Sequence, residues 1–188
     1  WLVDPLCGTL NYAARTMLAA VNVALRAGPG ITAAASADPF SGEVFWTDGD
    51  RAWLRSSDAD ALIAPSPRTQ LVDVNLDPPF PNAPRFLAVS LLAQEAFTAR
   101  FRPRVVSTTL ALAWVAAGRR AAYVTDGHLI DSVHFAAGIA LCQASGCVVT
   151  GLDGQPLHAG TGGLIAAADR QTHAVLLEMI TNPTAPPR

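Results

Sequence analysis

The sequence predicts an α/β (α+β) fold in a single domain spanning residues 1–188. Short apolar segments alternate with helical segments in the second half of the chain, and this alternation is typical of α/β proteins. The first half holds apolar segments separated by Gly and Asp, as in β-hairpins. The 188 residues are 51% hydrophobic, which suits one domain with a sizeable core.

The composition argues against several classes of partner. Charged residues make up 15% of the chain, the net charge is -2 and the isoelectric point is near 6.0. The overall charge therefore does not favour binding to nucleic acid or to an anionic membrane. Arg, Asp, Pro or Gly interrupts every apolar run before it reaches the length of a membrane span, and no signal peptide is visible. The three cysteines, Cys7, Cys142 and Cys147, lack disulfide spacing, which indicates a cytoplasmic protein.

The first twelve residues predict a corner between a strand and a helix. The apolar residues 1–3 lead into Asp4, Pro5 is expected to end the strand, and Gly8-Thr9 offers a helix start. Such a corner gathers a carboxylate, a backbone carbonyl and unpaired N–H groups. These groups together suit a cation and a phosphate oxygen.

The rest of the first half predicts mainly strands. Residues 16–27 are rich in Ala and apolar, so they suit either a helix by propensity or a strand buried on both faces. A Gly-Pro-Gly turn follows at 28–30. The further predicted elements are a strand at 31–37, a hairpin with arms at 43–46 and 52–54, a surface loop that runs from the end of this hairpin through residues 64–68, and a half-buried strand at 71–76.

A proline-rich segment at 77–84 separates two halves, residues 1–77 and 85–180, and residues 181–188 are predicted to be a frayed tail. Helical spacing of apolar residues and terminating glycines define the helices of the second half. The predicted helices are 86–101, 109–117, 134–145 and 172–179, and the predicted strands are 105–106, 121–124, 147–149 and 164–167.

Two motifs give the chain a family resemblance. The segment Asp4-Pro5-Leu6-Cys7-Gly8-Thr9 resembles the Asp-Pro-x-Asp-Gly-Thr signature of the inositol monophosphatase family, which comprises lithium-sensitive, magnesium-dependent phosphomonoesterases. Residues 133–138, Val-His-Phe-Ala-Ala-Gly, resemble the family's Trp-Asp-x-Ala-Ala-Gly motif, and the resemblance covers nearly the whole chain. It implies a layered αβαβα sandwich that lacks its first helices and strand, and it makes residues 17–25 a central strand. It also implies that the protein begins before Trp1, with a Glu-Glu pair that completes the metal site.

The resemblance assigns metal-binding roles to four positions. Asp4 is implied to be a retained carboxylate ligand and also a catalytic residue, and the Leu6 carbonyl is implied to be a retained ligand. Cys7 and His134 stand where the family has metal-binding Asp residues. Mg²⁺ prefers oxygen ligands, so a thiol and an imidazole are poor replacements.

The resemblance also assigns catalytic and substrate contacts. The Thr9 hydroxyl is implied to orient the attacking water, and residues Gly8, Thr9 and Leu10 are implied to bind phosphate through their N–H groups. Thr108 lies in a small polar loop that is implied to contact the substrate, although a helix cap is the plainer interpretation. Asp126 falls near the family's acidic substrate contact.

Several hypotheses about function follow. The leading one is a family member that acts on or binds phosphorylated small polyols or sugars, with Mg²⁺-dependent activity weak or lost. The alternatives are an active phosphomonoesterase that uses upstream residues or another metal, and a pseudoenzyme that binds a phosphate ester or a partner. The resemblance also implies a homodimer.

The replaced ligands suggest further chemistry. Because the family residues at positions 7 and 134 bind a common ion, Cys7 and His134 are expected to face each other. They would then form either a thiolate dyad or, together with Asp4, a site for Zn²⁺ or another soft divalent ion, with His128 or Asp131 as an optional further ligand. We interpret Asp131 as a helix cap rather than a ligand. The side chains predicted to be structural are His158 and His173 on the surface and Cys142 and Cys147 in the core.

Overall fold

The computed structural model describes residues 1–77, 87–129, 131–157, 159 and 162–183. Most of the predicted breaker at 77–84, most of the predicted tail, and His158 lie outside these residues. The strands are β1 Leu2–Cys7, β2 Ala20–Ala27, β3 Gly30–Ala37, β4 Val44–Thr47, β5 Ala52–Ser56, β6 Ala59–Leu62, β7 Leu71–Asn75, β8 Arg102–Val105, β9 Ala122–Thr125, β10 Val148–Thr150 and β11 Leu164–Ala167. The helices are α1 Thr9–Ala13, α2 Leu87–Leu92, α3 Glu95–Arg100, α4 Leu110–Ala116, α5 Ala136–Ser145 and α6 Arg170–Thr181.

In the part of the chain that the structure describes, two sheets form the framework. The first is an antiparallel meander in which β1 to β6 lie side by side in chain order. The second has the order β10-β11-β9-β7-β8, with β7 parallel to both β8 and β9. The carboxyl ends of β7 and β9 therefore meet at one edge of the sheet, the place where open α/β sheets position ligands.

Helices α4 and α5 lie between the two sheets. Ala24 and Ala34 of the first sheet pack against Ala137 and Ala140 of α5, and these small side chains allow a close approach. Helices α2 and α6 cover the other face of the second sheet, whose buried strand residues include Val72. The layers follow the order sheet, helices, sheet, helices, and the predicted α/β sandwich is confirmed.

The outer face of the first sheet is also apolar. One row of directly paired residues crosses all six strands on this face; it consists of Val3, Val23, Ala35, Trp46, Trp53 and Leu62. The rings of Trp46 and Trp53 stack with their centroids 4.4 Å apart. Apolar residues on both faces are typical of a sheet that packs between two layers.

Several predicted elements differ from the observed ones. Strand β1 continues past Pro5 to Cys7, because Pro5 lies on an edge strand, where a missing N–H is tolerated. Residues 20–27 form a strand, so the helix alternative is wrong. The predicted surface loop contains β6, and the predicted helix at 86–101 is two helices in its described part, broken at Ala93-Gln94. The predicted helix at 134–145 begins at Ala136, which leaves His134 in the preceding turn.

The burial of strand β7 and of His173 also differs from the prediction. Strand β7 was expected to be half-buried, but Val72, Asp73 and Val74 are all buried because both of its faces are covered. His173 is buried rather than exposed: it lies on α6, its Nε2 is 2.7 Å from Thr150 Oγ1, and burial lowers the pKa of its imidazole. The burial of β7 and of His173 results from packing between elements that are distant in the sequence, so local patterns do not predict it. Cys142 and Cys147 are free thiols, as predicted: Cys142 is buried in the core cluster, and the half-buried Cys147 packs against it.

Asp73 gives the fold a pH dependence. Its carboxylate accepts hydrogen bonds of 2.8 and 2.9 Å from Arg120 Nε, but burial dominates and raises its pKa to about 6. The folded protein therefore holds this proton more tightly than the unfolded chain, whose Asp pKa is about 3.9. The resulting stabilisation is fully present below pH 4 and is lost as the pH rises through about 6.

We expect Asp73→Asn to flatten this dependence. Between pH 7.5 and pH 5, the wild-type protein should gain about 1 kcal/mol of unfolding free energy relative to the variant. Urea unfolding at the two pH values measures this difference. An equal pH response in both proteins would show that Asp73 titrates normally.

Among the described residues, no helix has both the length and the apolar character needed to cross a bilayer.

Candidate metal centre and substrate cavity

A β-bulge brings Asp4 and Cys7 to the same face of the first sheet. In a regular strand, residues three apart point to opposite faces. Here Asp4 pairs with Asn22 and Cys7 pairs with Ala20, so β1 contains one more residue than β2 between these pairs. Both side chains consequently turn inward, where Asp4 is 5% and Cys7 9% exposed.

His134 completes a cluster with these two residues. It lies in the turn before α5, and its Nδ1 is 2.6 Å from Asp4 Oδ2. One ligand atom from each of Asp4, Cys7 and His134 lies within 4.8 Å of the other two, and among the described residues no other His, Cys, Asp or Glu joins such a group. The structure therefore brings Cys7 and His134 together, as the sequence predicted, and adds a contact between His134 and Asp4 that the sequence did not reveal.

Two neighbouring polar residues support the cluster. Thr109, at the start of α4, hydrogen-bonds to the Cys7 thiol, and it accepts a 2.8 Å hydrogen bond from Asn22 Nδ2. Asn22 Oδ1 is buried and has no hydrogen-bond partner among the described residues. Sequence reasoning missed Asn22 because its role depends on the strand pairing opposite Asp4.

The environment of Cys7 does not favour a thiolate. Burial raises the pKa of the thiol, and the neighbouring Asp4 carboxylate raises it further by charge repulsion, although hydrogen bonds with Thr109 oppose them. Reactive cysteines require the opposite, a lowered pKa in an electropositive site. Cys7 and His134 lie close together, but a raised thiol pKa disfavours the thiolate that the dyad hypothesis requires.

The cluster opens into a cavity of about 440 Å³. Its walls come from the end of β1, the start of α1, the carboxyl ends of β7 and β9, and the segments before α4 and α5. The lining residues include Cys7, Gly8, Thr9, Leu10, Asn75, Asp77, Ser107, Thr108, Tyr123, Asp126, His128 and His134. The volume falls in the usual range for sites that bind small molecules.

The predicted phosphate-binding residues lie along this cavity. Gly8, Thr9, Leu10 and Thr108 all line it, and helix α1 begins at Thr9 as predicted. Leu6 lies within the bulge between Asp4 and Cys7. Their roles in binding remain predictions.

Asp126 also lines the cavity, but its carboxylate is engaged elsewhere. Its two oxygens accept hydrogen bonds of 3.1 and 2.9 Å from the backbone N–H groups of Leu87 and Ala88 at the start of α2. The carboxylate therefore caps a helix, and its contact with substrate remains a prediction.

Asp77 also lines the cavity, although the sequence did not mark it as a site residue. Its carboxylate accepts a hydrogen bond from Ser107, and burial raises the pKa of Asp77.

Two further predicted ligands lie outside the cluster. Asp131 forms an ion pair with Arg26, so it is neither a metal ligand nor the helix cap that the sequence suggested. Its backbone has φ 58°, and α5 begins only at Ala136. His128 is exposed at the cavity and does not reach the other ligands.

Known proteins of similar sequence identify the family of this chain. The model of the inositol monophosphatase family matches residues 1–183. The chain belongs to the inositol monophosphatase family. Inositol-1-monophosphatase of Caulobacter vibrioides is 30% identical over 185 residues, which cover 96% of this chain and 70% of that protein.

The chain is similar to further proteins over most of its length. The Nus factor SuhB of Escherichia coli is 31% identical over 184 residues, covering 95% of this chain and 66% of that protein. The structure of inositol monophosphatase from Anabaena has a TM-score of 0.79 at 25% identity and covers 99% of this chain and 75% of that chain. The suhB structure from Bartonella henselae has a TM-score of 0.80 at 24% identity, covering 97% and 69%, and shows the shared fold.

The donor set of this family member does not fit Mg²⁺. Of the three side chains that face one another, only Asp4 offers oxygen. Mg²⁺ is a hard cation that requires near-octahedral oxygen ligands, whereas Cys7 offers sulfur and His134 nitrogen. The Mg²⁺ site implied by the resemblance is therefore not matched by these residues.

Proposed function

We propose that this protein binds phosphate esters of small polyols or sugars and that its Mg²⁺-dependent phosphomonoesterase activity is weak or lost. The donor set of Asp4, Cys7 and His134 carries this proposal, because it contains a single carboxylate. Family membership and the cavity beside the cluster support the choice of ligand class.

Turnover and binding are measured separately. With inositol 1-phosphate and p-nitrophenyl phosphate, a Mg²⁺ titration should give no metal-dependent release of phosphate. The inositol-1-monophosphatase of Caulobacter vibrioides serves as the reference in the same assay. Lithium-sensitive turnover at a rate comparable to this reference would contradict the loss of activity.

A pair of exposed leucines tests the binding cavity. Leu10 lines the cavity and is 81% exposed, whereas Leu62 lies on β6, away from the cavity, and is 63% exposed. Leu10→Asp places a negative charge beside the bound phosphate, where repulsion of about 1 kcal/mol weakens binding about fivefold. Leu62→Asp should leave binding unchanged. Calorimetric titration with inositol 1-phosphate measures both, and no binding by the wild type would refute the proposed ligand class.

A further inference from the structure

We propose that Asp4, Cys7 and His134 form a binding site for Zn²⁺ or a similarly thiophilic divalent cation. The proposal concerns the metal alone and does not rest on the proposed ester ligand. The sulfur and nitrogen donors that do not suit Mg²⁺ are, together with a carboxylate oxygen, donors that zinc prefers.

The donor types fit zinc. Protein zinc sites use Cys sulfur, His nitrogen and Asp or Glu oxygen, and sites with three protein ligands keep a fourth position open. The Asp4 carboxylate and a Cys7 thiolate together balance the two charges of Zn²⁺. Binding replaces the Cys7 thiol proton, which leaves to solvent.

The spacing of the donors also fits. Given zinc–ligand distances of about 2.0–2.3 Å, the ligand atoms of a tetrahedral site lie about 3.2–3.8 Å apart. The ligand atoms of Asp4, Cys7 and His134 lie within 4.8 Å of one another. Asp4 and Cys7 are held by β1, while the His134 side chain is 56% exposed and lies in a turn. Asp4 Oδ2 and His134 Nδ1 are 2.6 Å apart, so the exposed His134 ring has to turn away from Asp4 for the two residues to share a metal.

The surroundings resemble those of a supported metal site. Metal ligands in proteins are held by hydrogen bonds from neighbouring groups. Thr109 bonds to Cys7, Asn22 bonds to Thr109, and the buried Asn22 Oδ1 remains an acceptor without a partner among the described residues. An O–H group of a metal-bound water is the kind of donor that this oxygen lacks. The described lining of the cavity contains no arginine, so a cation at the cluster meets no fixed positive side chain there.

Cobalt(II) gives a direct spectroscopic test. We expect the full chain, purified and stripped of metal, to bind one Co²⁺ with a near-ultraviolet sulfur-to-metal absorption band, and Zn²⁺ to displace it. Cys7→Ser should remove the band. His134→Ala, at an exposed position, should weaken Zn²⁺ binding by more than the about 10–100-fold that loss of a supporting residue costs.

Matched variants identify the site. Cys147→Ser and His128→Ala change the same residue types outside the cluster and should leave the Co²⁺ band and the Zn²⁺ affinity unchanged. Circular dichroism verifies folding of each variant. A folded wild-type chain without the band, or a band lost in Cys147→Ser but kept in Cys7→Ser, would overturn the proposal. Neither result would affect ester binding, so this proposal and the proposed function fail independently.

Discussion

Replacing Phe45 by alanine should lower the free energy of unfolding by about 3–5 kcal/mol. Phe45 is fully buried on the inner face of the first sheet, in the core cluster that includes residues of α4 and α5. The guanidinium of Arg119 lies 5.4 Å from the ring centroid, so the truncation removes a cation–π contact as well as apolar packing. Urea unfolding monitored by circular dichroism measures the change.

Phe40→Ala is the matched control. Phe40 is 43% exposed in the loop between β3 and β4, so its truncation creates no enclosed cavity. We expect a loss within about 1 kcal/mol, as is usual for surface substitutions. Similar losses in the two variants would contradict the placement of Phe45 at the interface between the sheet and the helices.

Gly8→Ala should destabilise the protein by about 2–4 kcal/mol. Gly8 has φ 83°, a left-handed conformation that costs an alanine about 1–2 kcal/mol. A Cβ at this position would also lie 2.5 Å from the backbone oxygen of Leu18, which cannot move aside as a flexible side chain would. Because Gly8 links Cys7 to α1, the backbone shift that relieves the clash should also displace the site.

Gly28→Ala separates the cost of the left-handed backbone from the cost of the clash with Leu18. Gly28 has φ +66°, but nothing lies within 4 Å of an added Cβ. We expect only the conformational cost, about 1–2 kcal/mol. A Gly8→Ala loss no larger than this, measured by urea unfolding, would show that the close approach to Leu18 is not limiting.

Local signals in the sequence located the elements but not all their limits. Glycines predicted the turn at 28–30 and the end of α5 at Gly146, because their conformational freedom is a property of the residue itself. The strand was expected to stop at Pro5, yet it continues, since an edge position removes the cost of the missing N–H. Edge positions are set by strand order, which local patterns do not contain.

The site was predictable as far as the family motifs reached. Those motifs placed Asp4, Cys7 and His134 around one point, and the structure brings their ligand atoms together. The hydrogen bond of Asn22 with Thr109 depends on a strand pairing and a helix start that are 87 residues apart. Asp131 illustrates the same limit, because its partner Arg26 is 105 residues away in sequence.

The central claim is that Cys7 and His134, at two positions where the family has metal-binding Asp residues, prevent Mg²⁺ from binding. A measurement of Mg²⁺ binding tests this claim most directly. The experiment compares the thermal unfolding of the wild type with that of the double variant Cys7→Asp with His134→Asp, with and without Mg²⁺. The double variant places three carboxylates together, so it should be less stable without metal and should gain about 3 kcal/mol when Mg²⁺ reaches one hundred times its dissociation constant. The wild type should show no shift at the same concentration. A wild-type shift as large as that of the double variant would contradict the account.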